Sequence, residues 1–245
     1  SLINNMNQYT FLVTSALNTK FGIYDSAQRL TQTLATIDSI RQRVPTAKIY
    51  LLEMAGLPLQ EHQKEKLLPA VDHIIDFTTD PAVTDLYQCT DNWDIVKNVT
   101  EVMCFGNALK RLHTDTDQFR DSQRIFKLSG RYLLNDDFKI DYYDQYSIQS
   151  HIVVSKSRSS QFPLQYTQVE RQFMSRLWSW PTTLTDEIIS VYSQGLNFIQ
   201  ERIMAGGYVD IEHVLYKFLD HNKLIELDAV GVQGNIGPNG AAVKD

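Results

Sequence analysis

Cysteine is scarce in this sequence, since Cys89 and Cys104 are the only two among 245 residues. Two thiols provide neither a disulfide framework nor a cysteine-based zinc site. Positive charge is not in excess either: the formal net charge is −6, which argues against binding to nucleic acid because no basic surplus neutralises phosphates. No apolar run approaches the roughly 18 residues of a membrane span. No signal-peptide pattern opens the sequence. We therefore expect a cytoplasmic protein without a membrane span.

Three nucleotide or hydrolase motifs are also absent from the sequence. There is no Gly-x-Gly-x-x-Gly after the first apolar run and no Gly-x-x-x-x-Gly-Lys-Ser/Thr, so the dinucleotide-binding fingerprint and the P-loop are missing. A Gly-x-Ser-x-Gly elbow is missing too, which counts against an α/β-hydrolase.

What the sequence does contain is an alternation of short apolar strands with amphipathic helices. Strands are predicted at 9–16, 48–54, 73–77 and 124–128, and helices at 26–44, 59–70 and 93–113, with Ser26 as the first N-cap and 78–92 as an irregular loop. This order predicts right-handed crossovers and a largely parallel sheet flanked by helices. After residue 138 the pattern predicts strands within 150–155, 171–180 and 224–232 and helices at 185–205 and 211–220, the last capped by Asp210. We predict one α/β domain over residues 1–245.

The fourth predicted strand runs directly into Ser129-Gly130-Arg131. Ligands of open α/β sheets bind beyond the carboxyl ends of the strands. A glycine that permits close backbone approach, followed by a fixed cation, indicates a site for an anionic, phosphorylated ligand. The alternative is a strand end with a surface arginine packed on Tyr132.

A pair of carboxylates, Asp136 and Asp137, follows shortly after this segment. Such a pair suits Mg²⁺ or Mn²⁺, which prefer oxygen ligands and bridge to substrate phosphates. Asn135 and the two aspartates are equally good turn formers, so turn chemistry is the competing interpretation.

Residues at the ends of the first two strands form a second candidate set. Thr14, Ser15 and Asn18 offer hydroxyl and amide groups to a nucleotide. Arg29 lies one turn into the following helix, and Glu53 ends the second strand, where it could accept hydrogen bonds from a base or ribose. All of them fall at strand ends on one predicted edge.

Asp210 and Glu212 are the candidates for a general base acting on an acceptor hydroxyl, if folding brings them to the strand ends. The alternative is that Asp210 is an N-cap and that Glu212 favours the positive helix N-terminus. His213 beside them is either a ligand or a packed core side chain.

For stacking on an acceptor sugar the candidates are Tyr142, Tyr143, Trp178 and Trp180, with burial in the core as the alternative.

Four segments carry a resemblance to a known family: Phe11–Ser15, Arg29–Ile40, Ile49–Glu53 and Phe126–Tyr132. Through them the sequence resembles GT-A-type nucleotide-sugar glycosyltransferases of the kind that build surface polysaccharide or lipopolysaccharide. The similarity covers roughly residues 9–138, and Ile211-Glu212-His213 extends it loosely. It implies a donor-nucleotide half at 9–138 and an acceptor-side half with C-terminal helices at 139–245.

The resemblance implies a sugar transferred from a nucleotide-sugar donor to a hydroxyl of a glycan or lipid-linked acceptor. Glu212 would be the first choice for the base and Asp210 the second. An Asp-x-Asp motif commonly holds a divalent metal after the fourth strand in this family, whereas Ser129-Gly130-Arg131 stands there in this sequence. Either Asp136 and Asp137 supply Mn²⁺ or Mg²⁺ from downstream, or Arg131 offsets the diphosphate charge without a metal.

Two other functions stay open at this stage. A sugar nucleotidyltransferase has a similar sheet, but it normally needs a glycine-rich basic loop after the first strand. The loop 17–25 offers only Lys20 and Gly22. A non-catalytic nucleotide-sugar-binding or scaffold protein would account for the missing Asp-x-Asp.

Overall fold

The computed structural model describes residues 8–21, 24–236 and 241–245. Its strands are β1 (Tyr9–Ser15), β2 (Lys48–Glu53), β3 (His73–Asp76), β4 (Arg124–Ser129), β5 (Tyr132–Leu134), β6 (Ile152–Ser155), β7 (Arg158–Ser159), β8 (Arg171–Gln172), β9 (Leu177–Pro181), β10 (Leu224–Leu227), β11 (Val232–Ile236) and β12 (Ala241–Lys244). Its helices are α1 (Ser26–Arg43), α2 (Glu61–Leu67), α3 (Pro81–Cys89), α4 (Trp93–Leu109), α5 (Ile140–Tyr143), α6 (Tyr146–Gln149), α7 (Leu164–Thr167), α8 (Thr185–Met204) and α9 (Ile211–Phe218).

Seven strands form the central sheet in the order β10-β6-β9-β4-β1-β2-β3. Only β9 runs against its neighbours β4 and β6; the other pairings in this sheet are parallel. The predicted mostly parallel α/β sheet is therefore confirmed. The register places Thr14 beside Ser129 and Ser15 beside Glu53. The carboxyl ends of β1, β2 and β4 thus meet at one edge.

Both faces of the sheet are covered, so successive side chains of β1 enter different cores. Phe11 and Val13 join the core that includes Leu30 and Ile37 of α1. Leu12 points to the other face, where the core includes Phe105 of α4. The unbroken apolar run of β1 follows from this two-sided burial.

Two local predictions were wrong in the first half of the chain. Asp25, not Ser26, caps α1, because its carboxylate accepts the backbone N–H of Gln28 while the Gln28 side-chain oxygen accepts the backbone N–H of Asp25. The segment 78–92 is not an irregular loop, since it contains α3. Asp80 caps that helix and Pro81 occupies its first turn, where proline costs no hydrogen bond.

Two predicted strands of the second half are each divided. The stretch 171–180 becomes β8 and β9, and the stretch 224–232 becomes β10 and the start of β11. The short strand β5 pairs with β11 in a separate sheet of three strands.

Gly22 of the predicted 17–25 loop lies outside the described residues. Within the described part of the chain, no helix combines the length and apolar character needed to cross a membrane.

Candidate functional site

A cavity of about 610 Å³ opens at the edge where β1 and β4 end. Eight of the predicted site residues line it: Thr14, Ser15, Arg29, Ser129, Gly130, Arg131, Asp210 and Glu212. The chain therefore brings together groups from β1, α1, the end of β4 and the start of α9. Asn18, Glu53, Asp136 and Asp137 do not line this cavity.

Three guanidinium groups, those of Arg29, Arg131 and Arg176, form what we call the arginine wall. Arg131 makes no ion pair or side-chain hydrogen bond to any described residue, and it lies 5.9 Å from the ring centroid of Tyr132. Arg29 is largely buried, and it donates to the carbonyls of Phe21 at 2.5 Å and Tyr24 at 2.9 Å. Burial, and then the charge of Arg131, lower the pKa of Arg29. Arg29 thus shapes the loop after β1, while Arg131 keeps its donors for a ligand.

Arg176 is the member of the wall that the sequence analysis missed. Its guanidinium donates to the buried carboxylate of Asp245 at 2.5 Å and lies 5.4 Å from the ring centroid of Tyr132. Arg158 donates to the other oxygen of Asp245. The charge of Arg176 is therefore partly compensated, and that of Arg131 is not.

Gly130 allows the ends of β1 and β4 to approach closely. Its N–H donates to the carbonyl of Thr14 at 2.7 Å, and its own carbonyl accepts the Thr33 hydroxyl at 3.2 Å. The glycine thus joins two strand ends and does not offer its N–H to a ligand, although it lies in the cavity wall.

Replacing Gly130 with alanine should destabilise the protein by about 1–3 kcal/mol, the usual cost of overpacking. An added Cβ would lie 2.6 Å from the Thr14 carbonyl oxygen, which is fixed backbone in β1. Urea unfolding followed by circular dichroism measures the change. An unfolding free energy equal to that of the wild type would show that the strand ends separate without cost.

Four carboxylates, those of Asp94, Glu101, Asp210 and Glu212, form what we call the acidic wall. Glu212 accepts a hydrogen bond from the Ser175 hydroxyl at 3.2 Å. Burial, followed by the negative charges of Asp210 and Glu101, raises the pKa of Glu212 well above its ordinary value. A carboxyl group with a raised pKa exchanges its proton nearer neutral pH, as a general base or acid requires.

Asp210 is held in place by a short chain of hydrogen bonds. It caps α9 through the His213 N–H at 3.1 Å, and the same carboxylate oxygen contacts Nδ1 of His213. On the opposite side of the imidazole ring, Nε2 of His213 lies 2.6 Å from the hydroxyl of Ser160. His213 is fully buried, so it is a packed residue that fixes Asp210, and Ser160 starts the loop whose next residues, Gln161 and Phe162, line the cavity.

One face of α4 supplies a wall that the sequence analysis did not identify. Trp93, Lys97 and Glu101 line the cavity at i, i+4 and i+8, which is the spacing of one helix face. The buried hydroxyl of Thr100 has no hydrogen-bond partner among the described residues and also lines the cavity. The spacing of Trp93, Lys97 and Glu101 could have indicated a polar helix face at the site, but the sequence analysis considered only the apolar positions of this helix.

Glu53 and Asn18 occupy buried positions next to the cavity, which corrects the expectation that they contact a ligand. The Glu53 carboxylate is fully buried and accepts the Ser15 hydroxyl at 2.6 Å and the Leu17 N–H at 2.9 Å. Burial raises its pKa to about 7. Asn18 is bonded to the Gln63 side chain. Both residues order the segment after β1, and their amide and carboxylate groups are taken by the protein itself.

Asp136 and Asp137 likewise lie away from the predicted position. Asp136 is fully exposed and pairs with Arg43 at 2.9 Å, and Asp137 lies 3.8 Å from Lys244. The Asn135 side chain accepts the Asp137 N–H, as in a turn. No group of three His, Cys, Asp or Glu side chains suited to a metal occurs among the described residues. A guanidinium group stands where the metal-binding motif was sought, so the residues at this strand end do not fit a divalent cation.

The aromatic residues proposed for sugar stacking also lie elsewhere. Trp178, Trp180 and Tyr143 are buried in the two cores, and Tyr142 packs against one of them. The rings that line the cavity belong to Phe21, Tyr87, Trp93, Tyr132, Phe162 and Tyr208. Burial in the core was the correct alternative for the predicted set.

Comparison with solved structures identifies the fold. The mannosyltransferase Ktr4p from S. cerevisiae superposes with a TM-score of 0.55 at 10% identity, covering 91% of this chain and 69% of that one. Core-mannan synthase A from Aspergillus fumigatus, in a form with Mn and GDP, gives 0.51 at 7% identity, covering 95% and 75%. The galactosyltransferase LgtC, with donor and acceptor sugar analogues, gives 0.51 at 11% identity, covering 89% and 72%.

These neighbours are GT-A-type glycosyltransferases, and the GT-A-type fold predicted from the sequence is confirmed. At such low identity the likeness concerns the fold. No family model and no curated protein matches the sequence.

Proposed function

We propose that this protein is a glycosyltransferase that moves a sugar from a nucleotide-sugar donor to a hydroxyl of a glycan or lipid-linked acceptor. One observation carries the proposal: a single cavity at the strand ends has an arginine wall and an acidic wall. The first suits a diphosphate, and the second suits the hydroxyls of sugars. The GT-A-type fold is consistent with this division.

The arginine wall would stabilise the leaving nucleoside diphosphate. Negative charge grows on that group as the bond to the sugar breaks, and preorganised cations lower the energy of this transition state. Arg131 is the best placed, because it lines the cavity without an ion-pair partner among the described residues. In this proposal the guanidinium groups do the work that a bound cation does in metal-dependent enzymes.

The acidic wall would remove the proton from the acceptor hydroxyl. Glu212 is the first candidate for this base, because its raised pKa matches proton exchange near neutral pH. Asp210 is the second candidate, since His213 already occupies one of its carboxylate oxygens. The sugar would then pass from the diphosphate to the activated oxygen, and the proton would remain on the carboxylate.

The proposed halves of the chain both contribute to this arrangement. The donor half, 9–138, supplies Arg29 and Arg131, and the acceptor half, 139–245, supplies Asp210 and Glu212. Arg176 departs from the division, because it belongs to the second half and lies in the arginine wall, and so do Asp94 and Glu101, which belong to the first half and lie in the acidic wall. Cooperation between the halves is therefore part of the proposal.

A ligand panel tests the function. The protein is titrated by calorimetry with UDP, GDP, CMP and their sugar conjugates, once with EDTA and once with Mn²⁺, and release of free nucleotide is then measured with glycan acceptors. We expect one sugar nucleotide to bind and to be consumed in EDTA. Release of pyrophosphate from a nucleoside triphosphate and a sugar 1-phosphate would instead identify a nucleotidyltransferase. Binding without turnover would favour a scaffold, and no binding at millimolar concentration would overturn the proposal.

A further inference from the structure

Lys127 is an unusual residue for the middle of a central strand. It lies in β4, between β1 and β9, and its side chain is 1% exposed. A buried ammonium group is costly unless each of its donors is satisfied. Here Nζ donates to the Ser175 carbonyl at 2.5 Å and to the Ser129 hydroxyl at 2.7 Å, and it lies 3.4 Å from the Glu101 carboxylate.

All three partners of Lys127 line the cavity, although Lys127 itself does not. The ammonium group therefore lies beneath the cavity and connects its walls. Ser129 belongs to the segment that carries Arg131, Glu101 belongs to the acidic wall, and Ser175 also donates through its hydroxyl to Glu212. A single buried cation thus ties the diphosphate side to the carboxylate side.

The charged and titratable groups around this point come from three helices and from the segment that precedes α9. Lys97 and Glu101 face it from α4, Tyr192 from α8, and Glu212 from α9, while Tyr208 and the N-cap Asp210 face it from the preceding segment. Among the ion pairs of the described residues, the one with Lys127 is the only one that Glu101 makes, and Glu212 makes none. Two neighbouring carboxylates in a desolvated site do not both ionise readily.

We propose that Lys127 is a positioning residue that engages Glu101 in an ion pair beside Ser129 and so leaves Glu212 as the carboxyl group that exchanges a proton with the substrate. The inference rests on the proposed transfer reaction, because it assigns the roles of the two acidic-wall glutamates within it. Glu101 and Lys127 compensate each other as an ion pair. Glu212, which hydrogen bonds to a neutral hydroxyl, gains or loses its proton alone.

Burial and electrostatics agree with this assignment. Burial lowers the pKa of Lys127, and the charges of Glu101 and Glu212 oppose that effect. Removing the ammonium group would leave the Glu101 carboxylate without its ion-pair partner next to Glu212. Glu212 would then hold its proton to higher pH, by about one pH unit, the usual order for the loss of a nearby opposite charge.

The test compares Lys127→Met, which keeps the side-chain volume, with Glu101→Gln and with the double variant. In Lys127→Met we expect the acidic limb of the kcat profile to move up by about one pH unit, kcat to fall at least tenfold and the Kd for free nucleotide to stay within about threefold. The double variant should return the limb close to its wild-type position, because both opposing charges are gone. Lys110→Met, at an exposed site, is the control and should match the wild type in every measurement.

A second measurement does not depend on turnover. Carbon-13 NMR titration of the glutamate carboxyl groups, with Glu212→Gln used for assignment, reports the Glu212 midpoint directly. An upward move in Lys127→Met that is reversed in the double variant supports the inference even if no sugar is transferred, in which case only the proposed function fails. An unchanged Glu212 midpoint overturns the inference. If Lys127→Met does not fold, the same comparison is made with Glu101→Gln, whose Glu212 midpoint must then fall.

Discussion

Replacing Arg131 with alanine should lower kcat about 100- to 1000-fold, which is the usual loss when one preorganised charge-stabilising group is removed. Arg131 lines the cavity and makes no ion pair with a described residue, so its charge is available to the diphosphate as the sugar bond breaks. The initial rate of nucleotide release, measured with saturating donor and acceptor, gives kcat. The fold should be unaffected because, among the described residues, the side chain makes no hydrogen bond or ion pair and its guanidinium lies over the Tyr132 ring.

Three comparisons make this result specific to the position. Arg131→Lys keeps the charge but loses the planar pair of donors, so we expect a smaller loss than with alanine. Arg43→Ala removes an arginine that pairs with Asp136 outside the cavity, and it should leave kcat unchanged. Activity of the wild type should be the same in EDTA and in Mn²⁺. Full activity of Arg131→Ala, or activity that requires Mn²⁺, would contradict the arginine mechanism.

Replacing Glu212 with glutamine should lower kcat about 100- to 10,000-fold while the affinity for free nucleotide changes little. The amide keeps the size of the side chain and can still form a hydrogen bond with Ser175, but it cannot take the proton from the hydroxyl of the acceptor. The pH profile supplies a second signature. A base works when deprotonated, and because the Glu212 pKa is raised, kcat should increase with pH through a range well above the ordinary glutamate value of 4.5. Glu212→Gln should lose that dependence.

Two matched variants separate this role from a general effect of lost charge. Glu201→Gln, on the exposed surface of α8, should retain wild-type kcat and the same pH profile. Asp210→Asn should weaken activity less than Glu212→Gln does, since Asp210 is engaged by His213 and by the start of α9. The assignment of the base would be wrong if Asp210→Asn lost the larger share of kcat.

The sequence allowed good prediction of the sheet and of the residues at its strand ends. Buried parallel strands are continuous apolar runs, so β1, β2 and β4 were recognisable, and the carboxyl-end rule led from them to Ser129, Gly130 and Arg131. Asp210 was correctly identified as an N-cap because capping is a local interaction. Both successes depend on neighbours in the sequence.

The residues that escaped prediction depend on contacts between distant segments. Lys127 looks like a polar interruption of a strand, and only folding reveals Glu101 and Ser175 around its ammonium group. Glu53 was expected at a ligand because it ends a strand, but the backbone after β1 folds over it and satisfies its carboxylate. Spacing along the chain cannot show which strand-end side chains stay open and which are covered.

The partner of Arg176 gives the cavity a particular order of assembly during synthesis. Asp245 fixes this arginine from 69 positions further along the chain, and its backbone also pairs with Val232. A ribosome releases the chain from the amino end, so the central strands are available to fold well before residue 245 emerges. Until then Arg176 lacks the Asp245 carboxylate and has only the earlier residues, such as Tyr132, to hold it. The nascent protein would thus have β1, β2 and β4 of its sheet before it has its finished binding site.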